Sequence, residues 1–107
     1  MDIQLKRGML DTCVLAVLLK EDSYGYKIIK DLSGHVELSE STLYPILKRL
    51  ELSGCVESYT TEHNNRLRKY YKITSAGNDR ITEFLAEWED VMKIYNFIKG
   101  EVADEER

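Results

Sequence analysis

Hydrophobic and polar positions fall along this chain in two rhythms, one helical and one extended. From Ser39 to Leu52 the apolar residues Leu43, Ile46, Leu47 and Leu50 share one side of a helix, the 3.6-residue repeat of a buried face. Successive side chains lie about 100° apart, so Ser41, Pro45 and Lys48 stand nearly opposite that stripe, flanked by Thr42, Tyr44 and Arg49. Ser39 is placed to cap this helix. Pro45 removes an amide donor and crowds the carbonyl of Ser41, so either the regular helix starts near Thr42 or it bends at the proline. Gly54 can close the helix in a left-handed conformation. Two β-prone runs follow, Cys55 to Thr61 and Leu67 to Thr74. The second alternates, with Leu67, Tyr71 and Ile73 near one face and Arg68, Tyr70 and Lys72 on the other. Between the runs, His63-Asn64-Asn65-Arg66 makes a polar tip, where asparagine tolerates the positive φ of a hairpin turn.

Helical rhythm also marks the remaining segments. A first helix over Gln4 to Leu19 carries one stripe of Leu10, Val14, Val17 and Leu18 and another of Leu5, Met9, Cys13 and Ala16. Two apolar faces require two covers, one from the same domain and one that a second subunit could supply. Ser23 is expected to cap a helix from Tyr24 to Leu32 that turns Ile28, Ile29 and Leu32 inward and ends at Gly34. Gly25 in its first turn permits close approach of another backbone, that of the Ser39–Leu52 helix, or of a phosphate. Thr74 caps a last helix to about Lys99, roughly 38 Å long at 1.5 Å per residue. Its positions Ile81, Leu85, Trp88, Met92 and Tyr95 step by four and three as a heptad seam, widened by Phe84, Val91 and Ile98.

Length and composition restrict the reading further. At 107 residues the chain is one small domain that benefits from a partner. No stretch approaches the roughly 18 uninterrupted apolar residues of a membrane span, and no leader precedes the first helix, so a soluble, cytoplasmic protein is expected. Cys13 and Cys55 lie in apolar contexts without metal or redox spacing and read as reduced core thiols. The formal charge is −4, which looks wrong for a nucleic-acid binder until it is mapped. Residues 41–72 hold six Lys or Arg against three acids, a local +3, whereas residues 73–107 hold four against nine, a local −5. Local field governs contact with phosphate.

The outward face of the Ser39–Leu52 helix combines small hydroxyls, a flat phenol and cations, a surface suited to a groove walled by phosphates with base edges on its floor. The hairpin after it carries Arg66, Arg68, Lys69 and Lys72 with Tyr70 and Tyr71 interleaved. Helix and cationic hairpin together form the layout of a winged helix-turn-helix: an α+β, mainly α fold with a long C-terminal dimerisation helix. The expected organisation is a DNA-binding domain over residues 1–74, the dimerisation helix over 75–100 and a charged, frayed tail over 101–107. Ser41, Thr42 and Tyr44 are expected to contact bases or sugars, Lys48, Arg66, Arg68 and Lys69 to anchor phosphates, and Arg49 to belong to the same DNA-binding face. Leu5, Met9, Ile81, Leu85, Trp88, Met92 and Tyr95 are expected to join a homodimer. The alternative is a protein-interaction module of the same fold that does not bind DNA. His35 and His63 are isolated and no nucleophile has a base beside it, so no catalytic site, metal or cofactor is expected.

The ordered set Tyr24-Gly25-Tyr26, Ser41-Thr42-Leu43-Tyr44-Pro45, Leu47-Lys48-Arg49-Leu50-Glu51, Arg68-Lys69-Tyr70-Tyr71, Thr74 with Gly77, and Trp88 resembles the PadR family of bacterial transcriptional regulators, in its short branch with a single tail helix. The resemblance covers nearly the whole chain. It implies a homodimeric winged-helix repressor with phenolic-acid or multidrug-responsive regulation. Trp88 with Phe84, Leu85 and Val91 is similar to the multidrug-sensing members, in which paired tryptophans across the dimer axis sandwich flat aromatic compounds. That implies a small aromatic effector here, against the plainer reading of Trp88 as interface core. Asn64-Asn65 replaces the glycine usual at the family's wing tip. Met92 stands where some drug-binding relatives carry a polar or acidic residue, so a preference for cationic drugs does not carry over.

Overall fold

A computed structural model describes residues 2–105. The elements run α1 (Ile3–Leu18), α2 (Gly25–Leu32), α3 (Glu40–Leu52), β1 (Val56–His63), β2 (Arg66–Ile73) and α4 (Ser75–Glu105), the winged helix-turn-helix order. The core is a single cluster in which Val14, Leu15 and Leu18 of α1 meet Ile28 and Leu32 of α2 and all four stripe residues of α3. Burying each such aliphatic side chain stabilises the fold by about 1.5–3 kcal/mol. Asp2 starts α1 by accepting from the amides of Gln4 at 2.8 Å and Leu5 at 3.2 Å. The second apolar stripe of α1 is left open in the protomer: Leu5 and Ala16 are exposed, while Met9 and Cys13 are half-buried.

The loop before α2 departs from the sequence reading. Ser23 does not cap the helix. Its amide donates to the Tyr71 carbonyl at 3.1 Å and its carbonyl accepts from the Tyr71 amide at 2.7 Å, an antiparallel bridge to β2. The side chain is thereby buried, and Tyr24, in an extended conformation, stands at the cap position without a side-chain bond. A long-range backbone pairing has overridden a local propensity.

Ser39 caps α3 by accepting from the Thr42 amide. The helix then runs without interruption from Glu40 through Pro45, so it does not wait until Thr42 to begin. It ends in a Schellman motif: Gly54, at φ +77°, donates to the Glu51 carbonyl and Cys55 donates to that of Leu50. The strands pair antiparallel from Val56↔Ile73 to His63↔Arg66. Asn64 and Asn65 form the turn at φ 51° and 64°, the two positive values of a type I′ hairpin. Leu67 shares a face with Tyr71 and Ile73 by register, yet it is 80 % exposed because the distal half of the hairpin extends past the core.

Thr74 accepts from the Gly77 amide and its hydroxyl donates to the Gly54 carbonyl, tying the start of α4 to the end of α3. Gly77 is buried where a side chain would meet the Cys55 carbonyl. The helix was expected to stop near Lys99 before a frayed tail, but it continues through Gly100 to Glu105; residues 106–107 lie outside the described residues. Glu101, Val102, Ala103, Asp104 and Glu105 include no helix breaker, and one exposed glycine costs only about 1 kcal/mol. At 31 residues α4 is roughly 46 Å long and projects from the core, giving the protomer a longest dimension of 67 Å.

Candidate nucleic-acid interface

Helix α3 presents Ser41, Thr42, Tyr44, Pro45 and Lys48 to solvent. At its N-terminus the Ser39 hydroxyl lies 2.9 Å from that of Ser41 and 3.1 Å from that of Thr42, so three hydroxyls are clustered where the face begins. Tyr44 packs over Gly25. A Cβ at Gly25 would stand 2.6 Å from the phenol oxygen, so the glycine makes room for α3. Tyr44 lines a cleft of about 490 Å³ together with Arg68 and Lys69 of the wing and with Tyr24, Gly25 and Tyr26. Lys48 is exposed and Arg66 stands at the wing tip.

The wing is fixed by an aromatic ladder that the sequence did not reveal. The Arg68 guanidinium lies 3.9 Å above the Tyr24 ring. Tyr24 meets Tyr70 edge-on at 5.4 Å, and Tyr70 stacks on Tyr59 at 5.7 Å. Such pairs add about 0.5–1.5 kcal/mol each beyond their burial. Tyr59 closes the ladder by donating its hydroxyl to Asp22 at 2.6 Å. That bond, with lesser effects from desolvation and the Asp22 charge, holds the Tyr59 phenol above the usual tyrosine range. Burial likewise raises Tyr71. Alternation in β2 was the available signal, since it put Tyr70 beside Arg68 and Lys72, but the partner Tyr24 is far away in sequence.

Glu51 is engaged, whereas Glu40 of α3 and Glu57 and Glu62 of the wing are exposed with no ion-pair partner among the described residues. Glu51 accepts from the Ser58 hydroxyl and lies 4.0 Å from the Lys69 ammonium. Lys27 bridges Glu21 at 2.9 Å and Asp31 at 3.0 Å, and these two hydrogen bonds raise its pKa.

Arg49 requires a correction. It was expected among the DNA-binding residues, but its guanidinium turns inward and pairs with Asp11 of α1 at 2.5 Å. Arg80 of α4 pairs with the other carboxylate oxygen at 3.1 Å. The Asp11 side chain is 2 % exposed against 37 % for each arginine. Arg49 flanks the buried stripe, and the low-dielectric surroundings of Asp11 favour a cation there over solvent. An acid in the centre of an apolar helix was the visible signal, but its partners lie 38 and 69 residues away.

On α4, Ile81 is half-buried against the core, while Leu85, Val91, Met92, Tyr95 and Ile98 are exposed. Trp88 is half-buried with its ring 6.1 Å from that of Phe84. Leu85, Trp88 and Met92 line a shallow groove of about 460 Å³, whereas Phe84 and Val91 do not line it. No described helix is long and apolar enough to cross a membrane.

A profile of the Transcriptional regulator PadR-like family matches residues 14–83, which include α2, α3, the wing and the first turns of α4. The chain belongs to this family. Among solved structures, a transcriptional regulator from Clostridium thermocellum is 36 % identical over 87 % of this chain and 95 % of its own, with a TM-score of 0.78. A transcriptional regulator of Mycobacterium tuberculosis is 31 % identical over 75 % of this chain and 76 % of its own. The structure of Bacillus subtilis PadR in complex with operator DNA matches at a TM-score of 0.65 and 26 % identity, over 71 % of this chain and 46 % of that one.

Proposed function

We propose that this PadR-like regulator is a homodimeric, cytoplasmic repressor that reads a DNA operator with α3 and anchors on its backbone with the wing. The observation that carries this reading is the cleft shared by Tyr44 of α3 with Arg68 and Lys69 of the wing, on a helix that also exposes Ser41, Thr42 and Lys48. The family and the operator complex of Bacillus subtilis PadR support it. In this reading residues 1–74 form the reading head and α4 the dimer contact. Leu5, Met9, Ile81, Leu85, Trp88, Met92 and Tyr95 would form that contact, because the exposed apolar stripes of α1 and α4 lack a cover within the protomer. Trp88 and its neighbours Phe84, Leu85 and Val91 would then border the place where a flat aromatic effector stacks and releases the operator.

The test uses duplexes selected from a random pool, with binding followed by fluorescence anisotropy. Wild type binds, and the Lys48→Glu/Arg68→Glu variant remains a folded dimer but loses the duplex. A reversed variant that still binds would dismiss this surface. A wild type that selects no duplex would favour the protein-interaction alternative. Trp88 is the only tryptophan, so its fluorescence reports effector binding directly. No quenching across a panel of flat aromatics would assign it to interface packing.

A further inference from the structure

The reading surface has a second edge, on the side of α3 that faces α1. There the first turns of α1 and α3 enclose a groove of about 290 Å³ lined by Lys6, Arg7, Thr42, Pro45, Ile46 and Arg49, among others. Thr42 belongs to the proposed reading face, so the groove is continuous with it. Arg49 is held by Asp11, which leaves Lys6 and Arg7 as the available cations. Both are exposed, and neither has an ion-pair partner among the described residues. The buried carboxylate nearest this edge, Asp11, is offset by its two arginines.

We propose that Lys6 and Arg7 form a second phosphate clamp, which grips the duplex backbone on the edge of α3 opposite the wing. The inference rests on the DNA-binding reading above and adds an element to it. A helix lying in the major groove meets phosphates on both walls. The wing cations serve one wall, and the α1 pair is the positive group that adjoins α3 on its other side. Their long side chains can reach outward while Ile3 and Leu10 fill the base of the groove. These contacts carry no sequence information, so they set affinity and register rather than specificity.

The experiment compares wild type, Lys6→Gln/Arg7→Gln and a charge-matched control, Lys20→Gln/Lys30→Gln. Affinity for a selected duplex and for a scrambled one is measured across salt concentrations. Glutamine preserves helix propensity at exposed sites, and circular dichroism verifies folding. Each lost phosphate contact flattens the slope of log K against log salt by about 0.9. The α1 variant is therefore expected to be flatter by about 1.8 per protomer, with the ratio of selected to scrambled affinity unchanged, while the control keeps the wild-type slope. An α1 variant with the wild-type slope overturns the clamp and leaves the α3–wing reading standing. A control that flattens equally also overturns it, since net charge would then explain the effect. A wild type with no salt dependence removes both.

Discussion

Replacing Asp11 by asparagine perturbs a buried charge that joins three helices. The carboxylate is almost fully enclosed and receives a guanidinium from α3 on one oxygen and from α4 on the other. Removing one partner of a fully buried pair costs about 3–5 kcal/mol. Two features lower that figure here. Asparagine keeps one acceptor oxygen, and each arginine is 37 % exposed, so water can take over part of its solvation. The expected loss is about 2–3 kcal/mol. With a urea dependence of about 1–2 kcal/mol per molar, the unfolding midpoint should fall by about 1–3 M. The assay is urea unfolding at fixed protein concentration, because the midpoint of the proposed dimer would depend on it. Double-mutant cycles of Asp11→Asn with Arg49→Gln and with Arg80→Gln should each give a coupling of about 1 kcal/mol or more. A loss below about 0.5 kcal/mol, or an Asp11→Leu variant more stable than wild type, would mean that desolvation cancels the two bonds, and the reasoning would fail.

Gly25→Ala places a methyl against the Tyr44 phenol; since alanine suits the helix, stability should change by less than about 1 kcal/mol while operator affinity falls, and unchanged binding would separate Tyr44 from recognition. Gly77→Ala drives a methyl into the Cys55 carbonyl, which is backbone and cannot swing aside, so thermal unfolding should register about 1–3 kcal/mol of destabilisation; a neutral effect would contradict the close approach of α4 to the end of α3. Tyr59 keeps its proton to higher pH in the folded protein than in the unfolded chain, chiefly through Asp22, so its bond contributes below the ordinary value of 10.0 and is lost as pH rises through the folded value. Ultraviolet difference absorbance of wild type against Tyr59→Phe should show one phenol titrating late, and a phenol titrating at or below the ordinary value would remove the Asp22 bond.

Patterns governed by neighbours in sequence were the legible ones. The α3 stripe, the glycine closing α3, the Asn64-Asn65 turn and the Thr74 cap depend on residues within a few positions, so propensity and periodicity expose them. What escaped depends on distant partners. Ser23 has the chemistry of a cap, but Tyr71 of β2 claims its backbone. Arg49 reads as a surface cation until Asp11 is found beneath it. The Tyr24–Tyr70–Tyr59 ladder joins residues from a loop and two strands, and only the folded register brings them together. Leu67 followed the alternation of its strand, but alternation does not tell where the core ends.

The proposed division of labour between base reading by α3 and backbone anchoring by the wing is tested most directly by one ratio: affinity for a selected duplex over affinity for its scrambled counterpart, at physiological salt. Wild type should prefer the selected duplex by about 10³ or more. Thr42→Ala/Tyr44→Ala should collapse the ratio toward unity while binding to the scrambled duplex persists, and Arg68→Gln/Lys69→Gln should weaken both duplexes alike. A ratio that survives the loss of Thr42 and Tyr44, or that disappears with the wing cations, would contradict the account.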